Sequence, residues 1–268
     1  MKMKNWLRKT CLLLAATLLS AQAFSLDVTD RDTVEAFIDG AVKPLMQNKH
    51  GPAGVVMVMK DGEVILNKGY GYQDLDKKIP VDAYSTLFRP GSISKLFTWI
   101  AVLQMEEQGK LDLDADVNEH LTQFKVKDAW EGQPVTMRHI MTHRGGFEDG
   151  LFGYLIIDDA DRITPLAEAL EKYQPERINP PGEHTSYSNW ATALAGLIVA
   201  NVSGVEFNQY IQKNIFDVLG MEHASFVEPL PPELDALMAK HYQYPDGRHV
   251  EKPYEIISNF GPAAALKD

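Results

Sequence analysis

Two apolar, largely β-branched runs, Gly54 to Met59 and Glu63 to Leu66, are joined through Asp61-Gly62. An Asp-Gly between two such runs is a strong hairpin signal, so the chain is expected to form an antiparallel pair here. Ahead of it, Asp30 to about Asn48 places Val34, Phe37, Ile38, Ala41, Val42, Leu45 and Met46 at the spacing of an amphipathic helix. Helix followed by hairpin constrains the opening to a mixed α/β arrangement. The middle reads as mostly helical. Leu96, Phe97, Ile100, Leu103 and Met105 carry one helix that Gly109 ends, and Val135 to Met141 forms a short segment. Trp190 to Val202 and Val205 to Val218 form two more, broken at Gly204. Pro229 to Pro253 reads as Pro-rich and largely irregular.

The first 23 residues stand apart. Lys2, Lys4, Arg8 and Lys9 precede a short apolar stretch, Cys11 to Leu19, and Ala21-Gln22-Ala23 supplies an A-x-A cleavage site. That is the pattern of a secretory signal peptide, and the apolar stretch is too short to span a bilayer. The expectation is an exported protein, periplasmic or secreted, with residues 24–268 as one domain and no membrane span after cleavage. Cleavage would remove Cys11, the one cysteine, leaving no disulfide to form. It would also remove four basic residues, taking the net charge from −11 to near −15. Such a surface argues against nucleic acid and anionic membranes as partners.

Ser92-Ile93-Ser94-Lys95 opens the helix after Arg89-Pro90-Gly91. Residues three apart on a helical turn share a face, so Ser92 and Lys95 bring a nucleophile and a base within reach of each other. At a helix start the backbone N–H groups and the helix dipole favour a developing oxyanion, and together with burial they push a lysine toward its neutral, proton-accepting form. The bland alternative is Ser92 as a helix cap beside a solvated Lys95. Ser94 points to a different face and reads as a spectator. Downstream, Tyr187-Ser188-Asn189 precedes a helix. Tyr187 could relay a proton and Asn189 could bind both Lys95 and a substrate amide, or the pair could be a loop tyrosine beside an Asn cap.

Taken together these residues resemble the serine β-lactamase and penicillin-binding-protein family, particularly its class C-like branch with esterases and D-aminopeptidases. The match includes Gly69-Tyr70-Gly71-Tyr72, Phe88 to Lys95, Gly109 to Asp114, Met141-Thr142-His143-Arg144-Gly145-Gly146 and Ile215 to Met221. The resemblance implies an antiparallel sheet flanked by helices plus an all-helical lobe, with the cleft between them and Ser92 at its floor. It implies Ser92 as the acylated nucleophile, Lys95 as its base, Tyr187 as the acid/base relay and Asn189 as a substrate and lysine ligand. No metal or cofactor is implied. Substrates would be small molecules or peptides: a β-lactam, a D-amino-acid peptide or an ester. The family's third motif, K-T-G or H-x-G on a strand that also supplies an oxyanion N–H, has no counterpart after Asn189. His143-Arg144-Gly145 fits the letters but precedes Tyr187. The expectation is therefore a hydrolase truncated at its C-terminus, with the closing sheet strands missing and an uncovered apolar face on the N-terminal hairpin. On that basis residues 24–268 alone would be poorly stable and nearly inactive, and a non-catalytic binding module or inactive fragment is the competing reading.

Other temptations are weaker. Asp112, Asp114 and Asp116 alternate like calcium ligands, but the loop lacks the EF-hand glycine and glutamate and reads as a solvated turn. His143 reads as a buried histidine bracing its loop. His184, His223, His241 and His249 lack metal-ligand spacing. Asp158, Asp159 and Asp161 read as a solvated acidic turn. The oligomeric state leaves no mark in the sequence.

Overall fold

The computed structural model describes residues 27–148, 155–157, 159–252 and 260–268. The leader read at residues 1–23 and Asp158 lie outside them. The chain divides into two compact units at Gly71–Tyr72.

In the first unit, α1 (Arg31–Lys49) begins where Asp30 caps Thr33 N–H and ends at His50 in the left-handed region. β1 (Ala53–Lys60) and β2 (Glu63–Asp74) pair antiparallel, with Lys60 opposite Glu63 around the Asp61-Gly62 turn. The second strand therefore runs well past Leu66, where the apolar pattern stops. Lys68 explains the extension: its ammonium lies 2.6 Å from Glu35 and 2.8 Å from Asp39 on α1, and Tyr70 OH donates to the same Asp39 carboxylate at 2.8 Å. Polar strand residues are thus tied to the helix by charge rather than by apolar burial. Lys43 and Lys68 hold the Asp39 carboxyl well below its ordinary range, while burial and Asp39 push the Tyr70 phenol up to about 12. Val55, Met57 and Met59 alternate along β1 and remain exposed, as does Val64 across the turn.

In the second unit, the end of β2 pairs with β3 (Ile79–Pro80). Then follow α2 (Lys95–Glu107), α3 (Met137–Met141), α4 (Leu166–Lys172), α5 (Asn189–Ser203) and α6 (Phe207–Ile211). The helix expected over 205–218 runs over Phe207–Leu219, with a π-helical turn, Gln212–Phe216, between α6 and α7 (Asp217–Leu219). The Pro-rich stretch is less irregular than its composition implies. Pro231-Pro232 starts α8 (Pro232–Asp235), and Asp246-Gly247, both at positive φ, turn the chain between β4 (Tyr242–Gln243) and β5 (Val250–Glu251). The last described segment holds α9 (Gly261–Ala264).

The core of this unit is built around α5, buried from Asn189 through Val199. Such a helix is apolar all round because α2, α3, α4, α6 and α9 cover it. Gly196 makes one of those contacts possible. A Cβ there would sit 2.3 Å from Pro262 Cγ, so only glycine lets the α9 segment lie directly on α5. Phe97, Phe207, Phe216 and Phe226 interlock edge-to-face and stacked beside it. Among the described residues no single helix is long and apolar enough to cross a membrane.

Candidate active site

Ser92 lies in a 3-10 turn, Gly91–Ser94, that runs straight into α2. Neither helix start has a side-chain cap bond, so Ser92 is not serving as a cap. Its hydroxyl receives Tyr187 OH at 2.7 Å and Lys95 Nζ at 3.2 Å. Lys95, far from solvated, is only 5% exposed. Its Nζ also donates to Asn189 Oδ1 at 2.8 Å and to the Ala263 carbonyl at 2.9 Å, and lies 4.7 Å from the centre of the Tyr187 ring. The four side chains singled out from sequence, separated by up to 97 positions, converge on one point.

Local geometry explains the convergence. Ser92 and Lys95 share a face through their three-residue spacing. Ser188, extended at φ −139°, is the residue that caps α5, its Oγ accepting from Ala191 N–H at 3.1 Å. Asn189 is therefore free of the capping role its position suggested. Extended backbone at Ser188 sends its two neighbours out on the same side. The loop after α3 supplies the bed for this segment. His143 and Arg144 accept through their carbonyls from Ser186 N–H (2.7 Å) and Gly182 N–H (2.8 Å), and the Gly146 carbonyl accepts from Ile178 N–H (2.8 Å). Gly146 has φ +78°, and a Cβ there would sit 2.0 Å from the Asn179 carbonyl oxygen. His143 is half-buried rather than buried, holds a left-handed backbone, and stacks its ring on Tyr187 at 4.2 Å. Its Nδ1 accepts from Ser188 N–H at 3.3 Å.

Three contributors escaped the sequence. The Ala263 carbonyl is backbone and carries no residue signature. His143 was read only as a loop brace, although T-H-x-x-G directly follows a short helix and could have flagged a partner. Ser94 has a structural part: its buried Oγ donates to the Gly91 carbonyl (2.5 Å) and accepts from Leu266 N–H (3.1 Å). The aspartates that resemble calcium ligands are committed elsewhere. Asp112 receives Asp114 N–H, Asp116 receives Asn118 N–H, and Arg138 binds Asp114 twice at 2.7 Å, lowering its pKa. No group of three metal-ligating side chains occurs among the described residues.

A buried lysine shared between a serine, an asparagine and a backbone carbonyl, with a tyrosine hydroxyl on the same serine, is an arrangement fitted to acyl transfer. The beta-lactamase family profile matches residues 38–264, and the chain belongs to that family. Protein flp of Staphylococcus aureus (strain N315) is 31% identical over 190 residues, which cover 70% of this chain and 38% of that protein. The octameric penicillin-binding protein homologue from Pyrococcus abyssi superposes with a TM-score of 0.74 at 28% identity, over 87% of this chain and 53% of that one. A class C beta-lactamase superposes at 0.72 and 25% identity, over 90% and 63%. The fold is thus β-lactamase/transpeptidase-like, combining an antiparallel sheet with helices. The chain spans less than half the length of the curated relative and under two thirds of either solved chain.

Proposed function

We propose that this chain is an exported serine hydrolase that forms an acyl-enzyme on Ser92 and hydrolyses an amide or ester: a β-lactam, a D-amino-acid peptide or a carboxylic ester. The observation that carries this reading is the double engagement of Ser92 Oγ by Lys95 Nζ and Tyr187 OH. Export rests on the n-region, apolar stretch and A-x-A of residues 1–23.

The geometry supports a specific proton path. Asn189 Oδ1 and the Ala263 carbonyl are acceptors only, so they hold two hydrogens of Lys95 Nζ. A further direction from Nζ faces Ser92 Oγ, 3.2 Å away. In the neutral amine that direction carries the lone pair, and Lys95 can take the Ser92 proton as Oγ bonds to the substrate carbonyl carbon. The tetrahedral intermediate then collapses, the C–N or C–O bond breaks, and Tyr187 OH hands a proton to the leaving group while Lys95 resupplies it. Water adds to the resulting ester, and cleavage of the Oγ–acyl bond returns the serine and releases the carboxylic acid. The family resemblance adds a second part for Asn189, a hydrogen bond from its NH2 to a substrate amide oxygen.

A serine-directed phosphonate tests this directly. One adduct by intact mass, absent in Ser92→Ala and retained in Ser94→Ala, is expected. A chain that folds yet takes no adduct overturns the catalytic reading and leaves a binding role.

A further inference from the structure

The chain around Ser92 is gripped at successive levels by residues 260–268. Thr98 Oγ1 donates to the Pro262 carbonyl at 2.7 Å, Lys95 Nζ to Ala263 at 2.9 Å, and Leu266 N–H to Ser94 Oγ at 3.1 Å. Phe88 and Asp268 exchange backbone bonds of 3.0 and 3.1 Å, while Ser225 and Lys267 exchange two of 2.9 Å. One carboxylate ties the arrangement together. Glu228 Oε1 accepts from Arg89 Nη1 at 2.7 Å and lies 2.6 Å from Lys267 Nζ, which also donates to the Val227 carbonyl at 2.8 Å. The Glu228 side chain is 5% exposed and that of Lys267 0%.

We propose that Glu228 is a positioning residue of the acylation site: through Arg89 it holds the segment that delivers Ser92, through Lys267 it holds the segment that bears Ala263, and so it keeps the Ala263 carbonyl on Lys95. The inference rests on the proposed acylation at Ser92. Arg89 is three residues before the nucleophile and Lys267 four after Ala263, so both ends of the clamp sit close to the atoms they align. Stability alone is a poor reason for this triad. Buried ion pairs contribute little net stability, because desolvation offsets their attraction. Lys267 shows that balance, since burial outweighs the pull of Glu228 and holds its ammonium down at about 8. What a carboxylate with two charged donors adds over apolar packing is direction. The Lys95 hydrogens need direction, because a misplacement of about 1 Å at a reacting group costs on the order of 100-fold in rate.

The test uses the full chain with Glu228→Gln and with the double variant Glu228→Gln/Lys267→Met, which also removes the more deeply buried of the two cations that lose the carboxylate. Phosphonate labelling gives the inactivation rate and the probe affinity separately. Hydrogen exchange gives the protection of residues 260–268 without requiring activity. The double variant is expected to melt near the wild type and bind the probe equally well. Its labelling should be about 100-fold slower, with exchange at 260–268 raised at least about tenfold and α5 unchanged. Glu228→Asp should recover part of the rate. Wild-type labelling and protection in either variant overturn the proposal, as does failure of both to fold, which would make the triad a requirement of folding. A wild-type chain that does not label overturns the acylation reading instead, and exchange alone then decides the clamp.

Discussion

At the scale of single residues, Tyr187 separates chemistry from packing. Its ring stacks on His143 and faces Lys95, while its hydroxyl reaches Ser92. Tyr187→Phe keeps both ring contacts and deletes one oxygen from a side chain that is 42% exposed. We expect the phosphonate labelling rate to fall about 100- to 1,000-fold, the range of a lost acid/base group. The urea midpoint should barely move, since exposed substitutions cost within about 0.5 kcal/mol. Comparable losses in rate and midpoint would mean that the tyrosine only braces the loop. Ser92, Lys95, Tyr187 and Asn189 were all legible because each belongs to a short motif with fixed spacing. Ala263 was not, because any residue presents the same carbonyl.

At the scale of elements, α5 and α9 decide where that carbonyl lies, and Gly196 decides how close they come. Gly→Ala in a helix ordinarily adds about 1 kcal/mol through propensity. Here the new Cβ would meet Pro262 Cγ at 2.3 Å, and overpacking costs about 1–3 kcal/mol. The opposing effects leave a net loss of up to about 2 kcal/mol by urea denaturation, together with slower labelling as Ala263 is pushed from Lys95. A stabilised Gly196→Ala with unchanged labelling would show that α9 yields without consequence. The helices were readable from periodicity and caps. The length of β2 was not, because Lys68 breaks the apolar pattern and the ion pairs that carry the strand onward join residues some 30 positions apart.

At the scale of the whole molecule, the buried charges couple folding to pH. Lys267 faces Glu228 and, beyond it, Arg89, and burial lowers its folded pKa to about 8 against about 10.4 unfolded. The unfolded chain therefore binds more protons between those values, and this group's share of stability rises with pH across that window by up to about 3 kcal/mol. Melting from pH 7.5 to 10 should show the wild type gaining on Lys267→Met; parallel curves would mean that Lys267 is wetter than its burial implies. The sequence by itself determined the helix–hairpin opening, the helical middle, the family, and the four side chains that meet at Ser92, because turn chemistry, apolar periodicity and short catalytic motifs are local properties. Only the tertiary structure decided that the Ala263 carbonyl meets Lys95, and that Arg89 and Lys267 share the buried Glu228 carboxylate. Those contacts join positions from 39 to 168 residues apart, and burial changes what a charge costs only once the chain has closed around it.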